Sequence, residues 1–263
     1  MELFSIYKLT SFLTSLKHIF HHNNPLKHFF SHLFMPLFSI IIPAHNEETY
    51  LQPTLDSIKK QTLLDYEVVV VTNGCTDKTE ELVKKQKDGK VRNFSLPRPN
   101  VSVARNAGAL NAQGEILLFL DADTQLAPDG LQKIKDTFTE KYAVATTLAK
   151  PDSSTFSHHL TLFFKNLAHY SNIYQGCSGA LICRKKDFHA VGGYNPEIIV
   201  REHRKLILQL KELGKFTCIN TTVVTSMRRF QRWGLAKVGL FWTKKWLQDK
   251  SGKLKESSYE TIR

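Results

Sequence analysis

The sequence predicts an α/β fold with a mostly parallel sheet flanked by helices, and helical appendages at both ends. Two patterns predict it. Residues 68–71 and 116–120 are wholly apolar runs, the composition of strands buried on both faces of a parallel sheet. Between such runs lie longer segments of helical periodicity with short connections, the arrangement of right-handed βαβ crossovers. The chain has 263 residues, 42% of them hydrophobic and 23% charged, which suffices for one sizeable core.

Taken in order, the first strand covers residues 38–42 and ends at Pro43. Pro53 stands in the first turn of a helix that turns Leu55 and Ile58 inward, a position proline tolerates. The strand at 68–71 runs into the turn Thr72-Asn73-Gly74. A helix follows over about 77–87, then a weaker strand at 92–96. Asn100 caps a helix reaching about Ala112, which Gln113-Gly114 closes. The strand at 116–120 carries Asp121-Ala122-Asp123 at its carboxyl end. A helix at 128–141 and a strand at 143–148 complete a β-α-β-α-β-α-β order. The second half is less regular. It holds a helix at 155–174, a strand at 180–184, a turn at Gly192-Gly193, a helix at 202–213 with Gly214 as its C′ residue, and a strand at 216–225. A basic, aromatic helix covers 227–248. The regions are therefore 1–36, 37–226 and 227–263.

In open sheets of this kind ligands bind beyond the carboxyl ends of the strands. That rule places residues 44–48, 72–77 and 121–123 on one rim. Asp121 and Asp123 would repel each other there unless a cation or a donor lay between them. A divalent cation with hard oxygen ligands, Mg²⁺ or Mn²⁺, solves this and can bridge a diphosphate. The alternative is an ordinary turn in which Asp makes local hydrogen bonds.

Lys and Arg outnumber Asp and Glu, 36 to 24, for a net charge of +12. This favours anionic partners: nucleic acid, anionic lipid or phosphorylated small molecules. Cys75, Cys177, Cys183 and Cys218 form no CxxC pair and have no histidines at zinc-finger spacing, so they read as free thiols of a reducing compartment. No run approaches the ~20 apolar residues of a membrane span. Residues 1–35 are rich in Leu and Phe but lack a signal-peptide core and cleavage site. The expectation is a cytoplasmic protein, or one peripheral on the cytoplasmic face of a membrane.

Several segments resemble the family 2 glycosyltransferases, whose fold is GT-A. They are Ser39-Ile-Ile-Ile-Pro-Ala-His-Asn-Glu-Glu48, Val70-Val-Thr-Asn-Gly-Cys-Thr-Asp77, Ala104-Arg-Asn-Ala-Gly108, Gly114-Glu115 with Leu118-Phe-Leu-Asp-Ala-Asp123, and Gly176-Cys-Ser-Gly-Ala180 with Gly192-Gly-Tyr194. The resemblance covers about residues 37–225. It implies transfer of a sugar from a nucleotide-sugar donor to an acceptor hydroxyl, with inversion and metal assistance. It divides the domain into a nucleotide-sugar-binding half, 37–125, and an acceptor-side half, 126–226. The acceptor would be a glycan or lipid-linked, and nucleic acid would not be a partner. Asp123 would be the main metal ligand, Mn²⁺ or Mg²⁺, and Asp121 would touch the ribose or the metal's surroundings. Pro43, Ala44, Glu47, Thr72, Asn73, Arg105 and Ala122 would complete the donor site, with Glu47 by the nucleoside and Arg105 near the diphosphate.

Two positions depart from the family pattern. Thr72 stands where the family often has Asp, which leaves the base preference open. In Arg201-Glu-His-Arg-Lys205, His203 stands where the family usually has the Asp that acts as general base. His203 can do this work, its ordinary pKa lying near operating pH. Glu202 can do it or orient the imidazole, and adjacent helical residues diverge by about 100°, so one of the two should face the acceptor.

Residues 227–248 carry Arg228, Arg229, Arg232, Lys237, Lys244 and Lys245, with Phe230, Trp233, Val238 and Phe241 on one side. Such a helix either packs its apolar stripe on the domain or lies on a membrane surface. Arg228-Arg229 could also reach donor phosphates. Three other functions compete. A nucleotidyltransferase would open with a glycine-rich loop, which residues 43–48 lack. A binding protein that has lost its base fits His203 and Thr72. A nucleic-acid binder explains the charge but not the acidic turn.

Overall fold

The computed structural model describes residues 35–198 and 200–250. The chain divides into two units, Met1–Met35 and Pro36–Arg263. The segment expected over 1–36 lies outside the described residues save for its last two, as does the tail beyond 250.

The strands are β1 (Phe38–Ala44), β2 (Tyr66–Asn73), β3 (Val91–Leu96), β4 (Ile116–Leu120), β5 (Thr124–Leu126), β6 (Tyr142–Pro151), β7 (Ala180–Arg184) and β8 (Lys215–Thr225). The helices are α1 (Leu51–Lys59), α2 (Thr79–Lys84), α3 (Val101–Asn111), α4 (Gly130–Thr137), α5 (Phe156–Tyr170), α6 (Lys185–Ala190), α7 (Glu202–Leu210) and α8 (Arg228–Lys250). One eight-stranded sheet has the order β3-β2-β1-β4-β7-β6-β8-β5.

The apolar runs sort by parity. Ile40, Ile42, Val68, Val70 and Leu118 join the core on one face, while Ile41, Val69, Val71, Leu117 and Phe119 join that on the other. That is the period-two signature of strands covered on both sides. Burying each Val, Ile or Leu in this way contributes about 1.5–3 kcal/mol. β3, β2, β1 and β4 are mutually parallel, with Ala44 opposite Thr72 and Ile40 opposite Leu118. The chain leaves β1 toward β2 and β3, then returns through α3 to β4 on β1's other side. The crevice between the ends of β1 and β4 is therefore a topological switch point.

The parallel run stops at β4. β7 enters between β4 and β6 and is antiparallel to both. β6 and β8 pair in parallel. Strand 143–148, read as the next parallel strand, does run in the direction of β4 but does not adjoin it, since β7 lies between; apolar composition reports burial, not neighbours. β5 and α6 were not anticipated, because three and six residues carry no resolvable period. The helix expected at 128–141 covers only Gly130–Thr137, and that at 77–87 only Thr79–Lys84. Gly214 is not a left-handed cap, since its φ is not positive. A Cβ there would meet the Ala143 backbone nitrogen and Cβ at 3.1 Å, so close packing is what glycine serves. Gly192 and Gly193 do turn the chain with positive φ.

Candidate active site

The end of β4 delivers Asp121. Its backbone N–H donates to Gly179 O at 3.1 Å, which ties the turn to the start of β7. Gly179 has φ of +92°, and a Cβ there would press on Thr124 Oγ1 at 2.9 Å, so only glycine fits this approach. β5 follows directly and pairs antiparallel with β8, Thr124 opposite Thr225. The pairing sets the start of α8 against the acidic turn, which is why Arg228 reaches Asp123.

Arg228 donates to both oxygens of Glu47, at 2.8 and 2.7 Å, and its Nη2 lies 3.0 Å from Asp123 Oδ2. Its guanidinium also stands over the Tyr50 ring at 4.6 Å. Burial opposes this charge, but Glu47 and Asp123 outweigh it and hold the arginine above its ordinary pKa. The carboxyl of Asp123 is pushed up to about 7, chiefly by burial, with Asp121 and Glu47 adding to the rise and Arg228 opposing it. Glu47 is raised as well, again by burial first. Its loop is held by the next one: Asn46 bonds Thr76 in both directions, and the Glu47 N–H donates to Thr79 Oγ1 at 2.7 Å.

Arg105 occupies the middle of the buried face of α3, whose N-terminus Asn100 caps through the Val103 N–H. The guanidinium is almost wholly buried. One arm donates to Asp121 Oδ1 and the other to Glu202 Oε1, each at 2.8 Å. Burial works against this cation too, and the two carboxylates more than offset it. Asp121 and Asp123 thus each have their own arginine, one from α3 and one from α8.

The far side of Arg105 is built around Tyr194. Asn106 fixes its backbone with two hydrogen bonds, at 2.7 and 2.9 Å. The ring meets Phe119 edge-on at 5.2 Å and carries Arg105 over its face at 5.3 Å. Its hydroxyl lies 2.9 Å from His203 Nδ1. Both Glu202 and His203 turn into this cluster, 3.9 Å apart, rather than diverging. Arg201, with φ of +62°, redirects the chain just before α7. His203 Nε2 is buried without a partner. Burial, then Arg105 and Lys165, hold the His203 pKa well below its ordinary value.

Glu47, Arg105, Asp121, Asp123, Glu202 and His203 are therefore brought together. Five other expected residues are placed differently. Pro43 and Ala44 are buried, and Ala44 O accepts from Asn73 Nδ2 at 2.9 Å. Asn73 Oδ1 accepts from the Asn100 N–H, so its side chain joins β1 to α3. Thr72 is buried, with its hydroxyl 3.0 Å from Ser95 Oγ on β3. Ala122 is buried, and its carbonyl accepts from Thr54. The side chains of these five are buried. Tyr194, Asn106 and Lys165 were not singled out for a role. Lys165 is half-buried on α5, and burial lowers its pKa while Cys177 and Asp121 oppose that. The only sequence signal for it is a lysine inside a Leu/Phe-rich helix.

Among the described residues no group of three or more His, Cys, Asp or Glu is arranged to hold a metal. The fit to a hard divalent cation rests on Asp123 instead. A carboxyl held near 7 by burial and by neighbouring carboxylates is one whose charge a cation would compensate. Mg²⁺ and Mn²⁺ sites of one or two carboxylates, completed by substrate phosphates and water, are of this type.

Residues 39–194, more than half of the chain, match the family model described as Glycosyl transferase family 2. The chain belongs to that family. It is 27% identical to the hyaluronan synthase of Pasteurella multocida over 219 residues, 78% of this chain and 22% of that one. To an uncharacterized glycosyltransferase of Haemophilus influenzae it is 36% identical over 115 residues, 43% of this chain and 46% of the other. The chain thus spans under half the length of either relative. Among solved structures it resembles the S. aureus TarS 1-349 complex with UDP, with a TM-score of 0.60, 19% identity, and 72% and 60% of the two chains covered. It also resembles the mannosyltransferase PcManGT from Pyrobaculum calidifontis in complex with GDP-Man and Mn²⁺, with a TM-score of 0.59, 20% identity, and 72% and 57% covered. At such identities the likeness is one of fold: an α/β GT-A domain.

Proposed function

We propose that this family 2 member transfers a sugar from a nucleotide-sugar donor to an acceptor hydroxyl by a single inverting displacement. The observation that carries the reading is the convergence of Glu47, Asp121 and Asp123 at the switch point, with Glu202 reached from Asp121 through one buried arginine.

In this reading Asp123, with Asp121, holds a divalent cation, Mn²⁺ or Mg²⁺. When bound, the cation neutralises the charge that builds on the departing diphosphate. Glu47 positions the nucleoside. Arg228 turns from the carboxylates to the diphosphate oxygens, for which its planar fork is suited. Glu202 takes the proton from the acceptor hydroxyl at Oε2, while Oε1 stays on Arg105. Of the two candidates Glu202 is the better base, because burial and the cations of Arg105 and Lys165 disfavour a protonated His203. His203, fixed by Tyr194, is a positioning residue that excludes water beside the acceptor. Inversion follows from the presence of one base and no partner nucleophile among these residues. The acceptor is a glycan, free or lipid-linked, and the protein works in the cytoplasm.

Calorimetry tests the donor site. UDP, GDP and their sugars are titrated with Mn²⁺ and with EDTA into wild type and Asp123→Ala. Metal-dependent binding of one nucleotide, lost in the variant, is expected. Absence of binding by any of them to the folded protein overturns the transferase reading in favour of a binding protein that has lost its chemistry.

A further inference from the structure

The helix α5 is apolar on the wrong side for a core helix. It packs Leu162, His158 and His169 inward. Phe156, Leu160, Phe163, Phe164, Leu167 and Tyr170 are exposed, Phe163 at 59% and Phe164 at 60%. These positions recur at three and four residues, so they form one stripe along the helix. A contiguous exposed stripe of this kind marks an interaction surface.

A second such face lies beside it. At the start of α8, Phe230 meets His158 in the first turn of α5, ring centroids 5.7 Å apart. At its far end Asp249 pairs with Arg201 at 3.1 Å and approaches Arg204 at 4.0 Å. Arg204 in turn covers Tyr174 at 5.5 Å and donates to Gln175 O at 3.0 Å, just beyond the end of α5. Each end of α8 is thus linked to one end of α5. Past the kink at Gly234, α8 buries Val238 but exposes Leu240, Trp242 and Leu247.

Charge selects the occupant. There is no Asp or Glu between Asp152 and Asp187, and none between Glu212 and Asp249. Over the second stretch Arg232, Lys237 and Lys244 are exposed. Large apolar and aromatic side chains flanked by basic ones and free of acids match the boundary of an anionic bilayer. A second copy of the same basic face would be repelled. Among the described residues no helix is long and apolar enough to cross a membrane, so the fit is to its surface. We propose that the outer faces of α5 and α8 together seat this domain on an anionic lipid surface, which sets the acceptor side of the site against the headgroups.

The full chain is sedimented with vesicles of phosphatidylcholine alone, and with vesicles of about three parts phosphatidylcholine to one of phosphatidylglycerol. Wild type is expected to pellet with the anionic vesicles only, and less so in high salt. The double variant Phe163→Glu, Leu167→Glu changes two exposed side chains and should lose about tenfold or more of that binding, with unchanged thermal midpoint. Lys237→Glu with Lys244→Glu should lower binding to the anionic vesicles in the same way. Three results overturn the proposal: no vesicle binding by wild type, equal binding by wild type and the α5 variant, or a lipid-free dimer that the α5 variant dissociates. The last would assign the face to a second copy. Calorimetric donor binding by the same variants keeps this question apart from the transferase reading, since either can fail while the other holds.

Discussion

Arg228 grips Glu47 with both terminal nitrogens and stands 3.0 Å from Asp123, so one cation from the C-terminal helix holds the loop after β1 and the turn after β4. The three residues come from elements brought together by β5–β8 pairing, not by sequence.

Replacing Arg228 by Ala leaves two half-buried carboxylates without their counter-charge. A loss of roughly 3 kcal/mol is expected for breaking such a pair, read as a lower thermal midpoint in EDTA. Mn²⁺ should restore part of the loss, because a ligand that binds only the folded state raises its stability. A variant as stable as wild type in EDTA would show that the arginine adds nothing to the resting site.

The raised carboxyl of Asp123 gives a pH dependence whose sign is fixed. A folded-state pKa near 7 against an ordinary value of 3.8 means that the folded protein binds the proton more tightly than the unfolded chain. The stability this contributes is fully present below about 3.8 and is lost progressively as pH rises from there through about 7. Asp123→Asn stays neutral and avoids that loss. In EDTA its midpoint should match wild type at or below about pH 4 and exceed it increasingly up to pH 8, by roughly 2–4 °C for each kcal/mol. A variant less stable than wild type at pH 8 would refute the assignment.

The two base candidates separate by kinetics. Hydrolysis of the donor by water serves as the assay, since it needs no acceptor. Glu202→Gln should lower kcat by about 10²–10⁴ while donor affinity stays within a few-fold. His203→Asn should cost much less. Because the His203 pKa is held well below its ordinary value, the wild-type rate should show no inflection near pH 6.5. Such an inflection, removed by His203→Asn, would make the histidine the base.

Gly108 tests how α3 is seated. A Cβ there would collide with Ile41 Cγ2 and press on Val71 Cγ2 at 3.3 Å. Gly108→Ala should destabilise the protein by roughly 1–3 kcal/mol in a denaturant titration. It should also weaken donor binding, because α3 carries Arg105. A neutral effect would mean that the helix can lift from the sheet without disturbing the site.

The parallel half of the fold was legible because runs such as residues 68–71 are buried on both faces and so stay apolar without interruption. Asn100 was legible as a cap because capping is a local bond. Asp121 and Asp123 were legible because the carboxyl end of a strand is a defined place in this topology. The direction of β7 was not, since its composition is the same whichever way it runs. β5 was too short for any period. Thr72 and Asn73 lie in a motif, yet their side chains are spent on β3 and on the join between β1 and α3. The partners of Arg105 could not be read locally, as Glu202 is 97 positions away.

That one buried guanidinium is shared between Asp121 and Glu202 has a consequence for the order of events. On the proposed reading, whatever draws Asp121 toward a bound donor would alter the field that Arg105 presents to Glu202, so the two substrates would not bind independently. Thermodynamic linkage makes the effect symmetrical: the factor by which donor changes acceptor affinity is the factor by which acceptor changes donor affinity. The apparent affinity for each substrate should accordingly change with the concentration of the other, and conversion of Arg105 to a residue that holds only one carboxylate should remove that dependence.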